Sequence, residues 1–197
     1  MMNKTKWSID QSHSNITFKV RHLMISHVTG TFKTYDASIY TTDKDFTTAV
    51  IDVWIDATSV ETGDQTRDEH LKGADFFDVV SHKQISFTSS TIGKSNYKGN
   101  HELWGELTMK GITKNIKLDV LFGGLANDPF GNEKAGFTVT GVINRSDWGL
   151  VWNTAIETGG FVVSDEINIL CEIELTRVEH EEAKIAAEPP MNEIVIL

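Results

Sequence analysis

Seven histidines are the first side chains in this sequence to test for chemistry. Two metal ligands aimed from one element need a spacing such as His-x-His or His-Glu-x-x-His, and neither occurs. His22 and His27 are five apart across what reads as a strand end, and scattered polar or capping histidines are the plainer reading, so no metal site is expected. Cys171 is the only cysteine, which excludes an internal disulfide and a thiolate-clustered metal. Gly93-Lys94-Ser95 resembles the end of a phosphate-binding loop, but Thr88 stands where that loop needs its first glycine and no helix pattern follows. It reads as a hairpin turn. A Gly-x-Ser-x-Gly elbow for a nucleophilic serine is absent. The paired acids Glu181 and Glu182 lie in a polar stretch where they cannot be desolvated and tuned for proton transfer. No catalytic residue is therefore expected.

The elements around these residues are mostly strands. Ile16, Phe18 and Val20 alternate with Thr17, Lys19 and Arg21, the period of a strand with one buried face. The same alternation places Ile51, Val53 and Ile55 on one face, and Ile85 with Phe87, and Leu103, Leu107 and Met109. It continues through Ile116, Leu118, Val120 and Phe122, through Phe137, Val139 and Ile143, and through Ile167, Ile169, Cys171, Ile173 and Leu175. A less regular strand is expected from Phe32 to Tyr40. About eight strands result, and closing them into an antiparallel barrel removes the edges that an open sheet must protect. With eight strands the interior is either filled by side chains or wide enough for one small ligand.

One segment breaks the pattern. Asp64 is placed to cap a short helix over 64–72 and Gly73 to end it, and Phe76 and Phe77 follow at once. Adjacent aromatics there predict a helix and loop packed over one end of the barrel. From Glu179 onward the sequence turns acidic and loses strand periodicity, so the domain is expected to span 7–178, with 179–197 as a solvated tail that ends in the apolar Ile194-Val195-Ile196-Leu197.

Lys and Arg number 18 against 28 Asp and Glu, a formal net charge of −10, with the basic residues dispersed. Nucleic acid needs clustered cations and is not an expected partner. No apolar run approaches the ~20 residues needed to span a bilayer, and Met1-Met2-Asn3-Lys4-Thr5-Lys6-Trp7 leads into no apolar signal stretch, so a cytoplasmic location is expected.

Two features suggest a ligand. Gly105 and Gly141 fall on inward faces, where a solid core prefers bulk; they mark bends of the wall or leave room for something to lie against it. Leucine at either position is then expected to reduce ligand retention more than folding. His22 and Arg145 continue the inward parity of their strands to the strand ends, as polar groups at the mouth of an apolar cavity would, unless Arg145 pairs with Asp147 or another carboxylate.

Several segments together resemble the YceI-like, polyisoprenoid-binding family in order and spacing. They are Trp7-Ser-Ile-Asp-Gln-Ser-His-Ser14, Phe18-Lys-Val-Arg-His22, Gly30-Thr-Phe32, Ser59-Val-Glu-Thr-Gly63, Arg67-Asp-Glu-His-Leu71, Asp75-Phe-Phe-Asp78, Ile85-Ser-Phe-Thr-Ser89, Gly105-Glu-Leu-Thr-Met-Lys-Gly-Ile-Thr113, Ala135-Gly-Phe137 and Ile143-Asn-Arg-Ser-Asp-Trp-Gly149. In two respects the chain departs from the family: His82-Lys83-Gln84 replaces the usual Tyr-Pro before the Ile85 strand, and many relatives look exported. The resemblance implies a lipocalin-like extended barrel whose lumen holds an isoprenoid chain, that of a polyisoprenoid, an isoprenoid quinone or a related long-chain amphiphile, and it implies a homodimer and no catalytic cofactor.

On this reading Phe18, Val20, Val53, Ile55, Phe87, Leu107, Phe122, Phe137 and Val139 line the lumen, Phe76 and Phe77 cover one end, and His22 and Arg145 form a polar mouth. The ligand is a long-chain lipid held for transport, storage or sensing. The alternatives are an enzyme acting on a lipid or reactive small molecule with His22 and Arg145, and a structural or stress protein whose barrel is filled.

Overall fold

The alternating segments close into one antiparallel barrel in the computed structural model, which describes residues 4–93, 99–155 and 160–178. β1 (Lys4–Ile9) and β2 (Asn15–His22) are two lengths of a single strand, and β3 (Ser26–Phe32) and β4 (Tyr35–Thr42) are two lengths of the next. The second folds back on the first, with Ile16 opposite Phe32 and Lys6 opposite Tyr40. β5 (Asp45–Asp56) pairs with β4, while the two-residue β6 (Val60–Glu61) is a side pairing on β3. β7 (Gln84–Ile92), β8 (Asn100–Met109), β9 (Ile112–Asn127), β10 (Glu133–Asn144) and β11 (Val163–Val178) then follow, each paired with its predecessor in the ring. β11 closes the ring onto the first strand, with Ile169 opposite Phe18 and Leu175 opposite Ile9. Eight full-length strands result, with sequence neighbours adjacent throughout. Such a ring has no free edge.

Two strand expectations needed correction. The second strand does not run from Phe32 to Tyr40; it begins at Ser26 and breaks at Lys33 and Thr34, whose amides donate to Ser59 O and Ser59 Oγ at 3.1 and 3.0 Å. Val28, Gly30 and Phe32 do alternate, but a glycine and the surrounding His and Thr residues dilute the apolar signal. The first strand begins earlier than Ile16, at Lys4, where Trp7 is fully buried and its Nε1 donates to Thr41 Oγ1 at 3.0 Å.

Strand direction sorts the connections into two ends. One end carries the β4–β5 turn, the start of β8 and the β9–β10 turn. The other carries the β2–β3 and β8–β9 turns, the helix and the segment after β10. The helix, α1 (Gln65–Lys72), is capped as expected, Asp64 accepting from Arg67 N at 2.9 Å and Gly73 N donating to His70 O at 3.1 Å. Its own residues are not buried, so side-chain bonds hold it in place: Arg67 Nε donates to Thr62 Oγ1 at 2.7 Å, and Asp68 accepts from Thr62 N at 2.8 Å. Behind it, Phe76 and Phe77 turn into the barrel end, where Phe77 meets Phe32 edge-on at 5.7 Å. No helix among the described residues is long and apolar enough to cross a membrane. The 179–197 stretch, and most of the turn after Gly93, lie outside the described residues.

Candidate functional site

The inward rows do not fill the barrel. They enclose a cavity of about 500 Å³, within the range of small-molecule sites. Its wall includes all eleven of the apolar residues expected there: Phe18, Val20, Val53, Ile55, Phe76, Phe77, Phe87, Leu107, Phe122, Phe137 and Val139. Among its lining residues only Thr17, Lys44, Asp45, Thr47, His101 and Arg145 bring polar or charged groups. The two ends differ. At the helix end the lining residues Phe76, Phe77 and Leu150 are 6, 8 and 5% exposed, so that end is sealed. At the other, Phe122 is 40% exposed and Lys44, Asp45 and Thr47 stand in solvent. The cavity therefore opens beside the β4–β5 turn.

This reverses the expected polar mouth. Arg145 lines the closed end, 3% exposed, on a 3-10 turn (Arg145–Trp148) that takes over where β10 stops. Its guanidinium donates to Leu150 O at 2.5 Å, Trp152 O at 2.9 Å and Ser164 O at 3.0 Å, and it pairs with Asp165 at 3.0 Å, not with Asp147. Burial pushes its pKa down and Asp165 opposes that shift. Its donors are occupied by the protein, which leaves it a structural anchor. His22 sits at the same end, paired in register with Val163, and is not among the lining residues. Alternation places both at strand ends correctly, but it does not say which end is covered.

The inward glycines also needed correction. A Cβ at Gly105 would stand 2.4 Å from the Phe87 ring and 2.5 Å from the Thr88 carbonyl oxygen; at Gly30 it would meet the Phe18 ring at 2.2 Å. These glycines let neighbouring rings lie flat against the wall, and it is the rings, not a ligand, that cover them. Gly141 is covered likewise by Leu118, at 2.5 Å. Gly105→Leu is now expected to cost stability, at least the ~1–3 kcal/mol of an overpacked core, because one of the clashing atoms is backbone. Urea unfolding of the variant checks this, and a loss under about 0.5 kcal/mol would restore the expectation of open space at Gly105.

Comparison with known proteins places this barrel. The YceI-like domain pattern matches residues 7–175. A UPF0312 protein of Staphylococcus epidermidis is 35% identical over 173 residues, 87% of this chain and 98% of that one. The chain belongs to the YceI-like family. Among solved structures, the Campylobacter jejuni YceI protein is 36% identical and aligns over 81% of this chain and 90% of that one, with a TM-score of 0.70. A polyisoprenoid binding domain from Saccharophagus degradans shares the fold at 14% identity and a TM-score of 0.59, over 86% of this chain and 97% of that one.

Two of the motifs that carry the resemblance to YceI-like proteins build the closed end. In Ile143-Asn-Arg-Ser-Asp-Trp-Gly149, Asn144 caps the turn by accepting from Ser146 N, Trp148 is buried with Nε1 donating to Leu107 O at 3.1 Å, and Gly149 takes the left-handed conformation at φ 72°. Arg67-Asp-Glu-His-Leu71 ties α1 to Thr62 and sends Leu71 to the cavity. The His82-Lys83-Gln84 departure leaves the next strand undisturbed, since His82 N donates to Asp78 O at 2.8 Å and Ile85 and Phe87 still face inward.

Elsewhere, ligand atoms of Asp10, His13 and Glu174 lie within 4.8 Å of one another, but the Lys134 ammonium stands 2.6 Å from Asp10 and 3.3 Å from Glu174. The cluster already holds a cation of its own. Lys134, with Ser12 and His13, keeps the Asp10 carboxyl far below the usual carboxylate range. Burial pushes the Cys171 thiol up to about 11, so it sits in the wall as an apolar group.

Proposed function

We propose that this barrel binds one long-chain apolar ligand, a polyisoprenoid, an isoprenoid quinone or a related amphiphilic lipid, and holds it for transport, storage or sensing. The observation that carries the reading is the barrel's inner cavity, apolar along nearly all its wall, closed by Phe76 and Phe77 at one end and open at the other. A flexible tail gains about 25 cal/mol for each Å² of apolar area removed from water, so such a wall binds without many directed contacts. The Saccharophagus degradans neighbour, a polyisoprenoid binding domain, supports the same class of ligand. The filled-barrel alternative is disfavoured by the cavity itself. An enzyme built on His22 and Arg145 is disfavoured because the guanidinium is fully engaged by backbone carbonyls and Asp165.

The test is solvent extraction of the purified protein followed by mass spectrometry. A long-chain lipid is expected in near-stoichiometric amount, or else to be taken up when the lipid-free protein meets a polyprenol in detergent. No bound lipid and no uptake would overturn the proposal in favour of a structural barrel.

A further inference from the structure

The open end is where a head group would rest, and its chemistry can be read. His101 is half-buried and lines the cavity, with Nδ1 at 3.0 Å from the Gly93 carbonyl oxygen. A carbonyl oxygen only accepts, so Nδ1 must carry the proton, and Nε2 of the neutral ring is then a bare acceptor. Asp45, also in the lining, has one carboxylate oxygen taken by Thr47 N at 2.9 Å and Thr47 Oγ1 at 2.6 Å, which favours the ionised form. Lys44, the remaining charged group of the lining at this end among the described residues, is paired with Glu133, which also receives Arg177 at 3.1 Å. These four charged groups are two cations and two anions. A phosphate or diphosphate head needs an excess of cationic donors or a nest of amides, whereas among the described residues the lining here offers acceptors and these balanced pairs.

We infer that the open end is a head-group site for a neutral hydroxyl donor, the alcohol of a polyprenol or the phenol of a hydroquinone, whose proton is accepted by His101 Nε2, with the free Asp45 oxygen beside it as a further acceptor, and that it disfavours phosphorylated heads. This rests on the lumen reading above.

Three probes with one tail separate the two: geranylgeraniol, its methyl ether and its monophosphate, titrated against the full-length chain by tryptophan fluorescence. Trp7 reports from this end, its ring 4.9 Å from that of Phe46 in the lining. The alcohol should bind about ten-fold tighter than the ether, the worth of one good hydrogen bond, and tighter than the phosphate. His101→Phe should bring the alcohol down to the ether's affinity while leaving the ether unchanged, and His101→Gln should restore part of the difference. Asp45→Asn should improve phosphate binding several-fold. If the alcohol and ether bind wild type equally, or the phosphate binds best, the head-group site is refuted while the lumen stands. If not even the ether binds, the lumen reading itself fails. Should His101→Phe lose the ether too, the variant has damaged the barrel, and His101→Gln with Asp45→Asn decide: no change in probe order in either refutes the site.

Discussion

Arg145→Ala is expected to lower the unfolding free energy by about 3–5 kcal/mol, the sum of one buried and two half-buried carbonyls left without a donor and the packing lost around them. The segment after β10 converges on this side chain: Leu150 O, Trp152 O and Ser164 O all accept from it, and Trp148 beside it seals the barrel end. The three carbonyls are reached from two nitrogens, Nε for Ser164 and Nη1 for Leu150 and Trp152, which suits a planar guanidinium and not a single ammonium. Arg145→Lys should therefore recover less than half of the loss. For a chain of this size the alanine variant should melt roughly 6–20 °C lower, with the urea m-value unchanged if the native state keeps its compactness. Folded protein that survives should retain its preference among ligands, because the lining it disturbs is at the closed end. A loss below about 1 kcal/mol would mean that water replaces the guanidinium. A fall in affinity with stability unchanged would return Arg145 to the head-group role.

What the sequence made legible follows from where alternation holds. Along β5, β9 and β11 a period of two marks the inward face without ambiguity, and every apolar residue assigned to the wall from that pattern is in the wall. The rule stops at strand ends. Arg145 does carry the row of Phe137, Val139 and Ile143 into the lining, but β10 ends at Asn144 and the turn that follows commits its guanidinium to backbone carbonyls, while His22 continues the row of Ile16, Phe18 and Val20 and is not among the lining residues. His101 was readable and overlooked: it shares the parity of Leu103 and Leu107, just as Asp45 and Thr47 share that of Ile51, Val53 and Ile55. A polar residue at the first position of an inward row is the signal for an open mouth. The closed end gave no such signal, because closure depends on tertiary packing of Phe76, Phe77 and Trp148 from segments without periodicity. The glycines misled for a related reason: whether Gly105 is vacant depends on the rotamer of Phe87 on the neighbouring strand, which no pattern within one strand reveals.

The largest response of all should be to tail length. β11 lines the cavity from Val163 to Leu175, about 40 Å of strand at ~3.3 Å per residue, which the tilt of barrel strands reduces to about 30 Å along the axis. Spread over that distance, a volume of about 500 Å³ is a slot for one extended chain and not a chamber for a compact one. Each methylene drawn into it contributes ~0.8 kcal/mol, close to four-fold in affinity, less the cost of ordering the tail. Affinity for a series of isoprenoid alcohols should therefore climb by orders of magnitude with the first units added and level off once the tail reaches Phe76 and Phe77. Val139 lies midway, opposite Cys171 and Val120, so Val139→Phe should move the plateau to a shorter tail while leaving short alcohols bound as in wild type. Competition titrations across the series measure both effects. A flat dependence on length would place the tail outside the barrel, and a plateau that ignores Val139→Phe would place it along a different wall; in either case the slot between the open end and the two phenylalanines would not be the binding site.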